Sequence, residues 1–406
     1  MKQKQKILEQ LLLYQNSLLQ QVSDDWHRYL FHVFDKEDRL TGIKGLRGVG
    51  KTTMLLQYLA FHYPNRRDGL YVTADHPYFY ERSLLDLATE WELYGGRLLL
   101  IDEIHKYPGW SQQIKLIYDG LPGLRVIFTG SSALELYKGE ADLSRRLISH
   151  TLRGLSFREY LSFYHDQYFE KHSLEEILKG HEDIASQIVK KVKILPLFVQ
   201  YLEHGYFPFF KEMKGAALSP RLLQVINTVL ESDLGWIEDY SAANIEKIKK
   251  LLGVIAQVAP FEPNISRIAE KLKMGRNTLY IYLKNLKDAG IINLLNKPGR
   301  GIAVLQKPGK IYFENTAYAY AFQHTPQAGT LRETFFVNQL VNAGYMINLS
   351  PEKADFLVDE KYTFEVGGRN KGNSQIRNIK DSYKALDNIE NGFLHTIPLW
   401  LFGFLY

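Results

Sequence analysis

The chain has 406 residues, of which 45% are hydrophobic and 23% charged, and this composition predicts a folded globular protein of about two to four domains. It contains no cysteine, which excludes disulfides, thiolate zinc sites and a cysteine nucleophile. The absence of cysteine fits a reducing cytoplasm. The first residues do not resemble a signal peptide, and no apolar run approaches the roughly 20 residues of a membrane span. We therefore expect a soluble, cytoplasmic protein without a membrane partner.

The net charge of +5 is unevenly distributed along the chain. Residues 251–310 hold ten Lys or Arg against three Asp or Glu. A local positive field of this kind attracts the phosphates of nucleic acid. Nucleic-acid binding is therefore expected in this segment.

Residues 1–30 are predicted to form an N-terminal helix, because apolar side chains recur at every third or fourth position. Between residues 31 and 153, apolar strands alternate with amphipathic segments. This alternation predicts an α/β fold with a parallel, five-stranded sheet covered by helices. The predicted strands are Leu40–Lys44, Gly69–Thr73, Leu98–Ile101, Val126–Thr129 and Leu147–Leu152.

The remaining chain is predicted to form three further parts. Residues 154–258 have long helical periodicity and no strand signal, which indicates a helical lid or connector. Residues 259–320 have the pattern of a winged helix-turn-helix. Residues 328–406 predict a helix, two strands joined near Asp359-Glu360-Lys361, another helix and the apolar tail Ile397–Tyr406.

The segment Gly45-Leu46-Arg47-Gly48-Val49-Gly50-Lys51-Thr52 matches the phosphate-binding pattern GxxxxGK[ST] in full, between a predicted strand and a helix. Its glycines let the main-chain amides turn towards phosphates, and the helix N-terminus adds positive charge. We expect Lys51 to contact the β- and γ-phosphates of ATP and Thr52 to bind Mg²⁺. The expected nucleotide-binding residues are Gly45, Arg47, Gly48, Val49, Gly50, Lys51, Thr52 and Thr53.

A second motif follows about 50 residues downstream, where an apolar strand ends in Asp102 and Glu103. We expect Asp102 to hold Mg²⁺ through water. Glu103 is the expected catalytic base, because transfer of the γ-phosphoryl group requires an oriented water molecule.

Two further groups are weaker candidates for catalysis. The strand that ends at Thr129 opens into Gly130-Ser131-Ser132, where Ser131 either contacts the γ-phosphate or its attacking water, or lies in a plain turn. Arg145 and Arg146 precede the fifth strand. Either one of them, here taken as Arg146, acts as an arginine finger across a subunit boundary, or both are surface arginines.

The order of strand, phosphate loop, helix, Asp-Glu strand and Thr-Gly-Ser-Ser strand resembles the AAA+ superfamily. Leu155-Ser156-Phe157-Arg158-Glu159-Tyr160 is similar to a junction in a large group of uncharacterised prokaryotic AAA+ ATPases. In that group a winged helix and a restriction-endonuclease-like, PD-(D/E)xK fold follow the ATPase core. The resemblance covers nearly the whole chain. It implies a five-stranded core, a helical lid and a nucleotide-linked homo-oligomer.

Within the basic segment, Ser266 is the expected cap of one helix, Gly275 lies in a turn and Asn277 starts a second helix. The second helix is predicted to bury Leu279, Leu283 and Leu286. As a recognition helix it would contact double-stranded DNA, whereas the alternative is a contact with an unidentified protein partner. The residues expected to contact DNA are Arg276, Asn277, Tyr280, Lys284 and Lys287.

The last block resembles a PD-(D/E)xK nuclease, with Glu333, Asp355 and Glu365 as a candidate second metal site. Gly367 stands where the family pattern has lysine, and Arg369 or Lys371 is the candidate substitute. An inert, fold-only domain is therefore predicted, with an active nuclease as the alternative.

Together these patterns predict an ATP-binding and ATP-hydrolysing AAA+ ATPase with ATP and Mg²⁺ as its cofactors. Its nucleotide state is expected to control a C-terminal half that binds DNA or protein. One alternative is an ATP-dependent, metal-dependent nuclease of a defence or mobile-element system. Another is a slow nucleotide switch that acts as a signalling scaffold.

Overall fold

The computed structural model describes residues 2–23, 25–33, 38–65, 67–130, 142–143, 145–212, 218–233, 240–299, 308–323, 325–372 and 374–406. The chain divides into two compact units, Met1–Arg153 and Gly154–Tyr406. Within the described ranges, no helix has the length and apolar character that a membrane span requires.

The first unit is built on a parallel sheet in the strand order β2-β3-β4-β1-β5. Its inner strands are apolar on both faces because helices cover them, as expected for a parallel sheet. The sheet confirms the five strands predicted from sequence. They are β1 (Leu40–Lys44), β2 (Gly69–Thr73), β3 (Leu98–Asp102), β4 (Arg125–Gly130) and β5 (Ile148–Thr151).

The described residues of the first unit also form four helices and three short 3-10 turns. The predicted N-terminal helix ends at Leu19 rather than near residue 30, because the following chain is held against a neighbouring helix. There the side-chain amide of Gln57 donates to the main-chain oxygens of Ser23 and Trp26, each at 2.8 Å. The helices are α1 (Lys2–Leu19), α2 (Lys51–His62), α3 (Leu84–Leu93) and α4 (Trp110–Gly120), and the turns are Tyr29–His32, Pro77–Tyr80 and Ile104–Lys106.

Helix α1 packs along β2, which is an edge strand of this sheet. The buried Gln15 amide donates to the oxygen of Gly69 at 3.2 Å and accepts from the amide of Tyr71 at 2.7 Å. These are the main-chain groups that a sixth strand would otherwise engage. One side chain thus satisfies part of the sheet edge.

The second unit begins with helical segments. The described ones are α5 (Phe157–His165), α6 (Leu174–Val189), α7 (Ile194–Gln200), a π-helical turn (Tyr201–Gly205), a 3-10 turn (Pro208–Glu212), α8 (Leu218–Thr228) and a second π-helical turn (Val229–Asp233). The helices α5 to α7 share a hydrophobic core with the C-terminal part of the chain. For example, Phe198 contacts Phe335 edge-on at 4.8 Å between ring centres. The region expected to form a lid or connector therefore packs with the C-terminal block.

The described residues in and around the basic segment form three helices and an antiparallel pair of strands. They are α9 (Ala242–Val258), α10 (Ile265–Lys271), α11 (Arg276–Asp288), β6 (Ile292–Leu295) and β7 (Lys310–Phe313), with α12 (Thr316–Phe322) after them. Phe261 adds a single bridge to β7 at Ile311. The cap of α10 is Asn264, whose side chain accepts from the amide of Arg267 at 3.1 Å, and not Ser266 as expected.

The C-terminal block contains helix α13 (Ala328–Ala343) and a second five-stranded sheet. The sheet has the order β12-β11-β10-β9-β8. Its strands are β8 (Ile347–Leu349), β9 (Phe356–Val358), β10 (Tyr362–Gly368), β11 (Ser382–Asp387) and β12 (Thr396–Pro398), and the 3-10 turn Leu399–Phe404 follows. β8 and β9 pair antiparallel, as do β9 and β10, whereas β10, β11 and β12 are parallel.

The second helix predicted for this block is not present in the described residues that follow β10. Residues 369–372 and 374–381 form turns and irregular chain, and the next element is the strand β11. β11 forms because it pairs along its whole length with β10, from Ser382 beside Thr363 to Asp387 beside Gly368. Pairing between distant segments thus outweighs the local preference.

Candidate functional site

The phosphate-loop segment connects β1 to α2. Gly48 and Gly50 have φ values of 87° and 94°, in the left-handed region that side-chain-bearing residues avoid. A Cβ atom on Gly45 would lie 2.5 Å from the main-chain oxygen of Leu152, so this position also requires glycine. The loop therefore has the conformation that its glycine pattern predicts.

Lys51 begins α2 and is buried, with 5% of its surface exposed. Its Nζ atom donates to the main-chain oxygens of Gly45 at 2.9 Å and Leu46 at 3.1 Å. The ammonium group is thereby held inside the curve of the loop. Arg47 lies half-buried in the same loop, and Thr52 and Thr53 are exposed on the first turn of α2.

Arg28 supports this loop from the segment between α1 and β1. Its guanidinium donates to the main-chain oxygen of Val49 at 2.5 Å and to that of Arg153 at 2.7 Å, and the side chain is buried. The loop is thus tied to the chain that follows β5. No local sequence motif identifies Arg28, because Val49 and Arg153 lie 21 and 125 residues away from it.

Asp102 lies at the carboxyl end of β3 and is buried, with 3% exposure. Its Oδ2 atom accepts from the Thr52 hydroxyl at 2.6 Å and from the Tyr71 hydroxyl at 2.9 Å. The hydroxyl of Thr129, on β4, donates to Oδ1. The structure therefore brings Thr52 and Asp102 together, as expected, and adds Tyr71 and Thr129, which the motif analysis did not identify as site residues.

Glu103 has a φ of 52°, so the chain turns sharply at this residue. Its main-chain amide lies 3.2 Å from both the Asp102 carboxylate and the Thr129 hydroxyl. Its side chain lies 3.4 Å from the ring of His105. The turn thus separates two adjacent carboxylates, with that of Asp102 bound to hydroxyls and that of Glu103 beside a histidine.

The charge state of Glu103 is controlled by opposing effects on its pKa. Burial raises the pKa. The nearby positive charges of Lys51, His105, Lys106 and Arg47 lower the pKa by a larger amount. The net result is a pKa below the ordinary value of 4.5. Glu103 is therefore a carboxylate at neutral pH and can accept a hydrogen bond from water.

Of the two weaker candidates, the structure describes the arginine and does not bring it to these side chains. Ser131 lies outside the described residues. Arg146 forms a two-point pair with Asp119 near the end of α4, at 2.9 and 3.0 Å. Because α4 runs back along the sheet, this pair lies at the edge where the strands begin, whereas Lys51 and Asp102 lie where strands end.

In the second unit, α11 presents the side chains predicted for DNA contact. Arg276, Asn277, Lys284 and Lys287 are exposed and Tyr280 is half-buried. The opposite face buries Leu279, Leu283 and Leu286, as the periodicity predicts. Asn285 is also buried, and its side chain donates to the hydroxyl of Tyr240 at 2.5 Å.

The three carboxylates of the C-terminal block are held mainly by cations and hydroxyls. Glu333 accepts from Lys310 at 2.5 Å and from the Tyr312 hydroxyl at 2.9 Å. Glu365 is fully buried and forms an ion pair with Lys371. Among the described residues, no three acidic or histidine side chains have the grouping that a metal ion requires.

Gly367 explains how Lys371 reaches Glu365. A Cβ atom on Gly367 would lie 2.8 Å from both Cβ and Cγ of Lys371, so only glycine leaves room for the lysine stem. The cation missing from position 367 is thus supplied from position 371. Arg369, the other candidate substitute, is exposed.

Asp355 accepts a hydrogen bond from the amide of Val366 at 2.8 Å. Burial raises the pKa of Asp355, and the nearby Glu365 and Glu333 raise it further. The hydrogen bond from Val366 and the charge of Lys371 oppose this change, and the resulting pKa is about 6. The three carboxylates are therefore close enough to influence one another.

Two family models match parts of the chain. One, described as an AAA domain, matches residues 37–161. The other, a domain of unknown function (DUF8612), matches residues 195–328.

Two uncharacterized proteins of Methanocaldococcus jannaschii are similar along most of the chain. MJ1637 is 27% identical over 388 residues, covering 87% of this chain and 80% of its own. MJ1544 is 22% identical over 381 residues, with the same coverage of both chains.

Two solved structures are also similar. The Walker-type ATPase PABY2304 of Pyrococcus abyssi has a TM-score of 0.41 and 16% identity, covering 71% of this chain and 91% of its own. AMPPCP-bound DnaA from Aquifex aeolicus has a TM-score of 0.28 and 14% identity, covering 64% and 84%.

Proposed function

We propose, since residues 37–161 form an AAA domain, that this protein binds and hydrolyses ATP and that its nucleotide state controls what the second unit binds. The observation that carries the proposal is the contact between the Thr52 hydroxyl and the Asp102 carboxylate, beside a loop that encloses Lys51. These are the groups that nucleotide and magnesium require, held at one edge of the sheet.

The residues fit ATP and Mg²⁺. The left-handed glycines leave room for phosphate against the loop, and Lys51 would exchange its two main-chain oxygens for β- and γ-phosphate oxygens. Thr52 and Asp102 offer hard oxygen ligands for Mg²⁺. When bound, the ion neutralises charge on the phosphates.

Glu103 is the proposed base. Its low pKa keeps it ionised, so its carboxylate can orient a water molecule and accept its proton. Thr129 and Asp102 fix the main-chain amide of Glu103, which positions the residue through its main chain.

The test is ATP hydrolysis by the full chain and three variants. We expect Lys51→Ala to lose ATP binding. Glu103→Gln should keep binding and hydrolyse about 100-fold or more slowly. The control, Glu81→Gln, changes an exposed glutamate outside the site in the same way and should match the parent. Parent-rate hydrolysis by Glu103→Gln would show that the base is assigned wrongly.

The second part of the proposal is that residues 259–320 form a winged helix and bind double-stranded DNA through α11. It is supported by the exposure of four polar or basic side chains on one face of that helix and by the basic composition of the segment. Replacing Arg276, Lys284 and Lys287 with alanine should lower the slope of affinity against salt by about one for each phosphate that the helix no longer binds.

The control for the salt experiment replaces three exposed lysines elsewhere in the second unit, Lys171, Lys179 and Lys190. It removes the same charge, so a general loss of attraction would appear in both triple variants. An equal slope in the two variants would place any DNA contact elsewhere. The masses of the complexes in ATP and ADP, measured alongside, test for a homo-oligomer.

For residues 328–406 we propose a nuclease-like fold without nuclease activity. Lys310 and Lys371 are paired with two of the three carboxylates, and among the described residues no three acidic or histidine side chains form a group that could hold a metal ion. The assay incubates DNA with the protein in magnesium or manganese, with and without ATP. Cleavage by the parent that is abolished in Asp355→Ala would establish the nuclease alternative.

A further inference from the structure

The carboxyl ends of two parallel strands in the second unit open into a cavity of about 550 Å³, a volume typical of small-ligand sites. Arg369 directly follows β10, Asn388 directly follows β11, and both line this cavity. In sheets with parallel strands, ligands bind at this end of the strands. The position alone makes the cavity a candidate binding site.

Two cations line the cavity, and neither forms an ion pair with the carboxylate of a described residue. Lys384 lies on β11 and is 8% exposed. Its strand places it beside Glu365, but Glu365 is already paired with Lys371. In the described part of the chain, the Nζ atom of Lys384 has one hydrogen bond, a long contact of 3.5 Å to the main-chain oxygen of Lys371.

Arg369 has neither a hydrogen bond nor an ion pair with any described residue. A lysine is seldom buried unless it is paired, since its desolvation costs free energy that a partner must offset. An anion seated between Lys384 and Arg369 would supply that partner. The planar guanidinium suits the oxygens of a phosphate group in particular.

The rest of the lining suits a nucleoside rather than a bare phosphate. Phe393 is 59% exposed at the cavity and offers an aromatic face on which a base can stack. Asn388 and Asn391 carry amides that can bond the edge of a base, and Glu390 can accept from sugar hydroxyls. Leu195, Leu386, Ile389 and Thr396 complete the lining.

From this arrangement we propose that the cavity binds a ribonucleoside 5′-phosphate, with its phosphate between Arg369 and Lys384 and its base on Phe393. The ligand is either a free mononucleotide or the 5′-phosphorylated end of an RNA strand. This site is independent of the phosphate loop in the first unit and does not require ATP hydrolysis.

The experiment uses the full chain with Lys51→Ala, which removes the main phosphate-binding side chain of the other site. The probes are AMP, followed by equilibrium dialysis, and a fluorescent uridine hexamer with or without a 5′-phosphate, followed by anisotropy. AMP also lacks the β- and γ-phosphates that Lys51 is expected to contact. Binding at the two sites is thereby separated.

In this background we expect saturable binding of AMP, of the phosphorylated hexamer or of both. The probe that binds more tightly shows whether the ligand is a free mononucleotide or the 5′-phosphorylated end of an RNA strand. Arg369→Gln and Lys384→Met should each weaken that binding about 10- to 100-fold, as expected when a charge-assisted hydrogen bond is removed. The matched control, Lys179→Met, removes an exposed lysine from α6 and should bind as the background does.

Arg369 is exposed, so its variant should fold even if the change at the buried Lys384 disturbs β11. Failure of both phosphorylated probes to bind at concentrations up to about 1 mM would overturn the proposal. So would equal affinity of Arg369→Gln and the Lys179→Met control. Equal binding of the unphosphorylated hexamer would also overturn it, because the phosphate would then contribute nothing.

Discussion

Asp355 gives a quantitative test of the charge arrangement around the second sheet. Its pKa is about 6 in the folded chain against an ordinary value of 3.8. A raised pKa means that the folded state binds the proton more tightly than the unfolded state. The resulting stability is therefore fully present below pH 3.8 and is lost as the pH rises through about 6. At pH 7 the free energy of unfolding is therefore lower than at low pH by about 3 kcal/mol from this group.

Asp355→Asn removes the titration while keeping an oxygen that can accept the hydrogen bond from Val366. We expect the variant to match the parent near pH 4 and to exceed its free energy of unfolding at pH 7 by up to about 3 kcal/mol. Amide hydrogen exchange of β10, compared between variant and parent at the same pH, measures this directly. The expected gain in protection at pH 7 is up to about 100-fold.

The measurement is made without added divalent ions, and Asp183→Asn, an exposed aspartate on α6, is the matched control. The control should show little change at either pH. A protection ratio for Asp355→Asn that is the same at pH 4 and pH 7 would refute the reasoning. So would greater protection of the parent at pH 7, since the ionised carboxylate would then be stabilising.

Three further outcomes follow from contacts in the two units. Arg28→Met leaves the main-chain oxygens of Val49 and Arg153 without this donor, at a cost of about 1–3 kcal/mol each. The ATP affinity measured by calorimetry should therefore fall at least about 10-fold, and an unchanged affinity would show that Arg28 does not support the phosphate loop. Gly367→Ala should displace Lys371 and leave the buried Glu365 carboxylate unpaired, so the free energy of unfolding measured in urea should fall by about 3–5 kcal/mol. An unchanged stability would show that Lys371 does not need glycine at position 367. Because the pKa of Glu103 is lowered, its protonation should not reduce the rate of ATP hydrolysis between pH 8 and pH 5. A fall in rate near pH 6 that disappears in Glu103→Gln would show that the pKa of Glu103 is not lowered.

The sequence predicts features that depend on local patterns. All five strands of the first sheet lie within one residue of their predicted ends. The strands β1 to β4 are short runs buried along most of their length, whereas β5 is largely exposed. The phosphate loop is also recognisable, since its glycines, lysine and threonine are adjacent. The apolar face of α11 also follows directly from helical spacing.

Features that depend on distant pairing were not predictable in this way. Thr129 and Tyr71 reach Asp102 only because the sheet places β4 and β2 on either side of β3. The sequence offers both Arg369 and Lys371 as the missing cation, and only the contact across Gly367 decides for Lys371. The strand β11 likewise depends on β10, which explains why a helix was expected in its place.

The contact of Gln15 with the sheet edge has a consequence for self-association. Exposed edge strands can recruit strands from other molecules, and such recruitment leads to aggregation. Here a helical side chain imitates one residue of a neighbouring strand and closes β2 to that kind of growth. Gln15→Leu would keep the volume near the edge but leave the Gly69 oxygen and the Tyr71 amide without that partner. The protective element is therefore helix α1 together with this one amide, and both lie outside the nucleotide-binding loop.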